Sequence, residues 1–223
     1  MKHLSKTFYL WDMADTLFPE VWDKEKSGFE SYDQYVQSLG FDLKTISGKD
    51  YEWAYKIPYE TGMFNLNLAK GFKKVLKCTK HNAAFTTGNR EQTDWRQTQL
   101  GKKYGIKIKD YLPEIYSTFD YGDTNKKTVE MLADILKQKF TKGYQTVVYT
   151  DDKKTNCKFF ISAAKLALRK KININYRVYN IRYGLPALKQ LKENFFQIGS
   201  LLQLLEQEKN YLLKRPEYAK IKR

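Results

Sequence analysis

Cysteine is scarce in this chain: Cys78 and Cys157 are the two in 223 residues. Apart from His81, three residues after Cys78, neither has a second cysteine or a histidine nearby, too few ligands to support a disulfide framework or a four-ligand thiolate zinc site. Histidine is as rare, and His3 and His81 stand alone with no evident role. Long apolar runs are missing too. Stretches such as Val147-Val148-Tyr149 fall far short of the roughly 18 residues a membrane span needs, so no membrane partner is expected. The opening Met1-Lys2-His3-Leu4-Ser5-Lys6 holds no apolar segment and no small-residue cleavage site, and a cytoplasmic location is expected. Acidic residues are outnumbered, 25 against 40 basic ones, for a formal net charge of +15. That balance favours anionic partners. Arginine occurs only seven times, however, so lysine supplies 33 of the 40 cations. Compositional bias accounts for such a surplus better than a dedicated nucleic-acid surface, and the clusters at 165–171 and 214–223 read as solvated faces.

What is present suffices for a sizeable packed core. Hydrophobic residues make up 42% and aromatics 15%, which excludes disorder. The length suits one domain with an insertion. Residues 7–11 (TFYLW) form a compact strand-like run ended by Asp12. Residues 20–70 are aromatic and polar, punctuated by glycines and Pro58. Tyr32, Tyr35, Val36 and Leu39 fall there at helical spacing, so a small helical insertion is expected. Further along, 66–77 reads as an amphipathic helix, 83–87 as a strand and 91–104 as a helix. A strand at 114–118 precedes a helix at 128–139, with Thr124 or Asn125 as its N-cap. A strand at 145–150, a helix at 156–170, a strand at 177–181 and a helix at 198–208 follow. Such alternation predicts an α/β fold, a three-layer Rossmann-like parallel sheet covered by helices on both faces. The core would comprise 1–19 and 71–223, with 20–70 inserted.

In such a sheet, ligands sit at the carboxyl ends of the strands. Polar residues end each strand in turn: Asp12-Met13-Ala14-Asp15-Thr16, then Thr86-Thr87-Gly88-Asn89, then Lys126-Lys127 before a helix, then Thr150-Asp151-Asp152 with Asn156 beyond. Carboxylates from separate strand ends make a hard-oxygen site suited to magnesium, which keeps waters for a phosphate ligand. A lysine and a hydroxyl complement the remaining phosphoryl charge.

This order of motifs resembles the haloacid dehalogenase superfamily, whose members are mostly phosphatases and phosphotransferases. The likeness runs through nearly the whole chain, and the insertion lies where that family places a cap. It implies a magnesium-dependent phosphohydrolase acting on a small phosphorylated molecule. Asp12 would be the nucleophile and a metal ligand with the Ala14 carbonyl and Asp152, while Asp151 would act from behind or through water. Thr87, with Gly88 and Asn89, would bind the phosphoryl oxygens. Lys127, or its neighbour Lys126, would neutralise charge, and Thr16 would orient Asp12. The sequence departs from the family pattern at Ala14, where phosphatases usually carry a second aspartate that protonates the leaving group. General acid–base help of about 10²–10⁴-fold is thereby missing. Asp15 is the nearest substitute. Two alternatives follow: a relative that binds metal and phosphate, or a partner such as nucleic acid, without turnover, and a phosphonatase-like hydrolase using Lys44, Lys49 or Lys56.

Overall fold

The computed structural model describes residues 7–41, 50, 52–86, 88, 90–121 and 125–213, without the side chains of 91, 92, 119, 120 and 125–127. Its frame is a seven-stranded sheet in the order β5-β4-β1-β6-β7-β9-β8. The strands are β1 (Thr7–Asp12), β4 (Asn82–Thr86), β5 (Glu114–Ser117), β6 (Thr146–Asp151), β7 (Asn175–Ile181), β8 (Lys189–Lys192) and β9 (Phe195–Ile198). All neighbours pair in parallel except β8, which runs antiparallel to β9 at the edge.

Side-chain alternation along each strand divides the core into two layers. Tyr9 and Trp11 of β1 join Ala84, Val148 and Tyr179 on one face. That face is covered by α4 (Phe72–Thr79), through Val75 and Leu76, and by α8 (Leu201–Leu213), through Leu201, Leu204 and Leu205. Phe8 and Leu10 point the other way, with Phe85, Val147, Tyr149 and Val178. There α6 (Asn125–Thr141) packs Met131, Leu132, Ile135 and Leu136, and α7 (Lys154–Arg169) packs Phe160, Ala163, Ala164 and Ala167. Both faces are therefore buried, as a parallel sheet requires. One buried ion pair pins α8 to the sheet. Arg177 of β7 donates to Glu208 at 2.7 and 2.5 Å, and the hydroxyls of Tyr179 and Tyr9 donate to the same carboxylate at 2.7 and 3.1 Å.

The inserted segment is not helical throughout. Its ends, β2 (Glu20–Trp22) and β3 (Phe64–Leu66), pair antiparallel. Between them lie α1 (Lys24–Ser27), capped by Asp23, and α2 (Tyr32–Ser38), capped by Ser31, and then a π-helical turn at Glu52–Lys56 running into α3 (Ile57–Glu60). Trp22, Phe29, Tyr32, Tyr35, Tyr55 and Phe64 pack ring on ring, with neighbouring centroids 5.3 to 5.6 Å apart. The aromatics of this segment thus pack on one another and continue the core on one face of the sheet, whereas Trp53 is exposed.

Two helix boundaries need correction. The apolar spacing from 66 to 77 is shared between a strand and a helix: Leu66 ends β3, and α4 starts only at Phe72. Gly71, at φ +90°, turns the chain there, and an added Cβ would meet Leu202 at 2.9 Å. Likewise Ile198 closes β9, and the last helix begins at Leu201. The β8–β9 pair has no sequence forecast behind it, because 189–192 (KQLK) is an exposed edge without apolar alternation. No described helix is long and apolar enough to cross a membrane.

Candidate metal and phosphate site

Strand register brings the acidic ends together. Asp12 pairs with Phe85 of β4, and Trp11 before it pairs with Thr150 of β6, so Asp12 and Asp151 end adjacent strands at the same level. One carboxylate oxygen each from Asp12, Asp151 and Asp152 lies within 4.8 Å of the others. Asp12 and Asp152 face a cavity of about 300 Å³. Asp151 sits behind them, fully buried.

The three aspartates are held differently. Asp151 accepts the Tyr149 hydroxyl at 2.6 Å, the Lys153 N–H at 2.7 Å and the Asn156 amide at 3.3 Å. Its carboxylate is thus fixed from both sides. Asn180 donates to the backbone carbonyls of Asp151 and Asp152 at 3.1 and 2.7 Å, which fixes the turn itself. Thr16 joins the two strand ends. Its hydroxyl accepts the Asp152 N–H at 2.9 Å, and the same side chain lowers the proton affinity of the Asp12 carboxyl.

Burial and mutual repulsion mark all three groups. Burial, then the nearby Asp151 and Asp152, push the Asp12 carboxyl well above its usual range, against the Thr16 hydrogen bond. Burial pushes Asp151 up to about 6 despite its three donors. Asp152 is raised by burial, with Lys153 pulling the other way. A divalent cation fits this donor set. Its charge offsets the crowding of three carboxylates, and magnesium's octahedral shell places ligand oxygens about 3 to 4.2 Å apart, within the observed spread.

The loop after β1 is wound tightly. Met13 accepts the N–H groups of Leu17 and Phe18, and the Ala14 carbonyl accepts Thr16 N–H at 2.7 Å. Asp15 adopts a left-handed φ of +56°. One of its carboxylate oxygens accepts the Glu20 N–H at 3.1 Å, so it braces the start of β2. Tyr183 donates to the Thr16 carbonyl from beyond β7. Ala14 lines the cavity too, and its methyl side chain has no proton to give.

Glu20, Tyr32, Asp33 and Tyr55 wall the cavity from the inserted segment. Arg96, on α5 (Arg90–Tyr104), faces them. Arg96 binds Glu20 at 2.9 Å and lies 5.0 Å from the centre of the Tyr55 ring. Burial raises the Glu20 carboxyl, while Arg96 pulls it down. Glu20 and Arg96 escape sequence reading because 76 residues separate them. The one hint is that α5, mostly polar apart from Trp95 and Leu100, buries Thr93, Arg96 and Gln97.

Asp12, Ala14, Thr16, Gly88, Asp151 and Asp152 therefore gather around this cavity or directly behind it. Gly88 is tied down by Ser117, whose hydroxyl donates to the Gly88 carbonyl at 2.8 Å. Thr87 and Asn89, the side chains of Lys126 and Lys127, and Lys44 and Lys49 lie outside the described residues, as do Thr124 and the 214–223 tail.

No protein-family model matches the sequence, and no curated protein matches it. Among solved structures, the chain is similar to the HAD family enzyme BT-2542 of Bacteroides thetaiotaomicron. Its magnesium complex is 16% identical over 78% of this chain and 93% of that one, with a TM-score of 0.48. Its complex with magnesium and inorganic phosphate is 14% identical over 84% and 98%, at 0.48. An aspartate-to-alanine mutant with the same ligands is 13% identical over 84% and 97%, at 0.49. The residues of this chain, rather than these likenesses, carry the functional reading. The strand order β5-β4-β1-β6-β7, with one aspartate ending β1 and two at the end of β6, is that of a Rossmann-like α/β sheet carrying its acidic groups at the carboxyl ends of its central strands.

Proposed function

We propose that the chain is a magnesium-dependent phosphohydrolase that releases phosphate from a small phosphorylated substrate through an aspartyl-phosphate at Asp12. The observation that carries this reading is the convergence of Asp12, Asp151 and Asp152 on one cavity. Asp12, Asp152 and the Ala14 carbonyl would hold the ion, with Asp151 behind them. When bound, magnesium supplies positive charge to the carboxylates and to phosphoryl oxygens.

A free oxygen of Asp12 attacks phosphorus while the bond from phosphorus to the leaving oxygen breaks, and water later cleaves the acyl phosphate. Thr16 keeps the Asp12 carboxylate aimed and lowers its proton affinity. Thr87 and Lys127, or Lys126, would bind the phosphoryl oxygens and offset their charge. Residues 20–70 act as the cap that shapes the rest of the cavity, with Tyr32, Tyr55 and Asp33 on the substrate's side.

The leaving oxygen needs a proton that Ala14 cannot give, and Asp15 is occupied with Glu20 N–H. That absence favours a second reading, in which the chain binds metal and phosphate with little or no turnover. Phosphate release from an aryl phosphate, with magnesium and with EDTA, tests the first. Release that needs magnesium and vanishes in Asp12→Asn supports it. Release that survives Asp12→Asn removes the aspartyl-phosphate. Magnesium and phosphate binding without release supports the second reading.

A further inference from the structure

The positive charge of this chain is concentrated. Residues 153–192 hold eleven lysines and arginines and no aspartate or glutamate, so forty residues carry +11 of the net +15. At the chain's average acid content the same stretch would hold about four carboxylates. Whole-chain composition hides this asymmetry, since a lysine-rich bias alone does not remove acids from one segment.

The segment starts immediately after Asp152 and forms α7, β7 and the edge strand β8. Arg177 is spent on Glu208 in the core. On α7, Lys154, Lys158, Lys165 and Arg169 are all exposed. At 100° per residue they fall within an arc of about 60°, along a helix about 22 Å long. Lys170 and Lys171 prolong the row. The opposite face of α7, through Cys157, Phe160, Ala163, Ala164 and Ala167, is buried against the sheet. The helix beside it, α6, exposes Asp134 and Lys137 and half-buries Glu130, too few acids to neutralise the row. Like charges one turn apart repel, and a linear polyanion relieves that repulsion along the whole row.

We propose that this face of α7 binds the phosphate backbone of a single-stranded nucleic acid. The row begins two residues from Asp152, beside a cavity of about 300 Å³ that has room for a strand's terminal nucleotide and not for a duplex end. A membrane surface is the poorer match, because amphipathic helices bind bilayers through an apolar face and that of α7 is already used in the core. The inference stands on charge placement and is independent of chemistry at Asp12.

Fluorescence anisotropy of the full chain with a labelled 20-nucleotide oligothymidylate, in EDTA and between 50 and 300 mM salt, tests it. Four backbone contacts predict a log–log salt slope of about −3, from roughly −0.7 per phosphate on a single strand. Each of Lys158→Gln, Lys165→Gln and Arg169→Gln should flatten that slope by about 0.7. The triple variant Lys158→Glu/Lys165→Glu/Arg169→Glu should lose at least about tenfold in affinity at 50 mM salt, while Lys158→Arg keeps it. No binding at 50 mM salt, ridge variants that bind like the parent, or tighter binding to a duplex or to anionic vesicles would each overturn the proposal. Aryl phosphate release, which these variants should leave unchanged, reports separately on the hydrolase reading.

Discussion

The hydroxyl of Thr16 accepts the backbone N–H of Asp152 at 2.9 Å, across 136 residues of sequence, and the same side chain holds down the proton affinity of Asp12. One buried side chain thereby fixes the distance between the two strand ends that supply the acidic groups. Replacing it has consequences for both. Thr16→Ala leaves the Asp152 N–H without its partner, which costs about 1–3 kcal/mol, and removes the group that favours the charged form of Asp12. Magnesium affinity should fall with it. Thr16→Ser keeps the hydroxyl and should restore most of both. Urea unfolding and magnesium titration of the two variants check this, and equal behaviour of Ala and Ser would deny the hydroxyl its role.

The raised carboxyls set a pH dependence with a definite sign. Asp151 moves from 3.8 to about 6 on folding, and Asp12 and Asp152 also move up. Protons therefore bind the folded state more tightly. The stability these groups contribute to the metal-free protein is present below pH 3.8 and is lost as pH rises through about 6. Magnesium needs the deprotonated groups, so its effect runs the opposite way. Melting temperatures with and without magnesium should coincide near pH 4 and separate above pH 7. A magnesium shift that is as large at pH 4 would contradict the site.

Ala14 makes the missing proton donor testable by addition. Ala14→Asp puts a carboxyl on the cavity wall next to Asp12. Phosphate release should rise by about 10²–10⁴-fold if general acid help is what limits turnover. Unchanged release would mean that another step limits the protein.

The Glu208 cluster bears on stability alone. Its carboxylate is held by Arg177, Tyr179 and Tyr9 and is almost wholly buried. Glu208→Ala strands a buried guanidinium and should cost about 3–5 kcal/mol. Arg177→Met/Glu208→Leu, which removes both charges and keeps volume, should recover most of it. Urea denaturation of the single and double variants measures both, and a double variant as weak as the single one would argue against the stranded charge.

Local patterns in the sequence were sufficient for the sheet's central strands. Residues 7–11 and 145–150 are dense in apolar and β-branched residues, and Asp12 and Asp151 stand where those runs stop. The acidic constellation was legible for the same reason, since strand ends on one edge of a parallel sheet converge. Pairings between distant segments were not legible. The β2–β3 pair joins three-residue strands too short to show alternation, and the Glu20–Arg96 ion pair joins an insertion to a helix. The reach of Thr16 to Asp152 belongs with these, because sequence relates Thr16 only to its neighbour Asp12. Tyr149 and Asn180, which fix Asp151 and its turn, read as ordinary strand residues until the register is known.

The most direct measurement is a crystal structure of the protein soaked with magnesium and tetrafluoroberyllate. One cation should be shared by Asp12 and Asp152, with Asp151 beside it, and a tetrahedral fluoroberyllate should be bonded to a carboxylate oxygen of Asp12. A cation elsewhere, or an Asp12 left bare while the anion binds another surface, would contradict it.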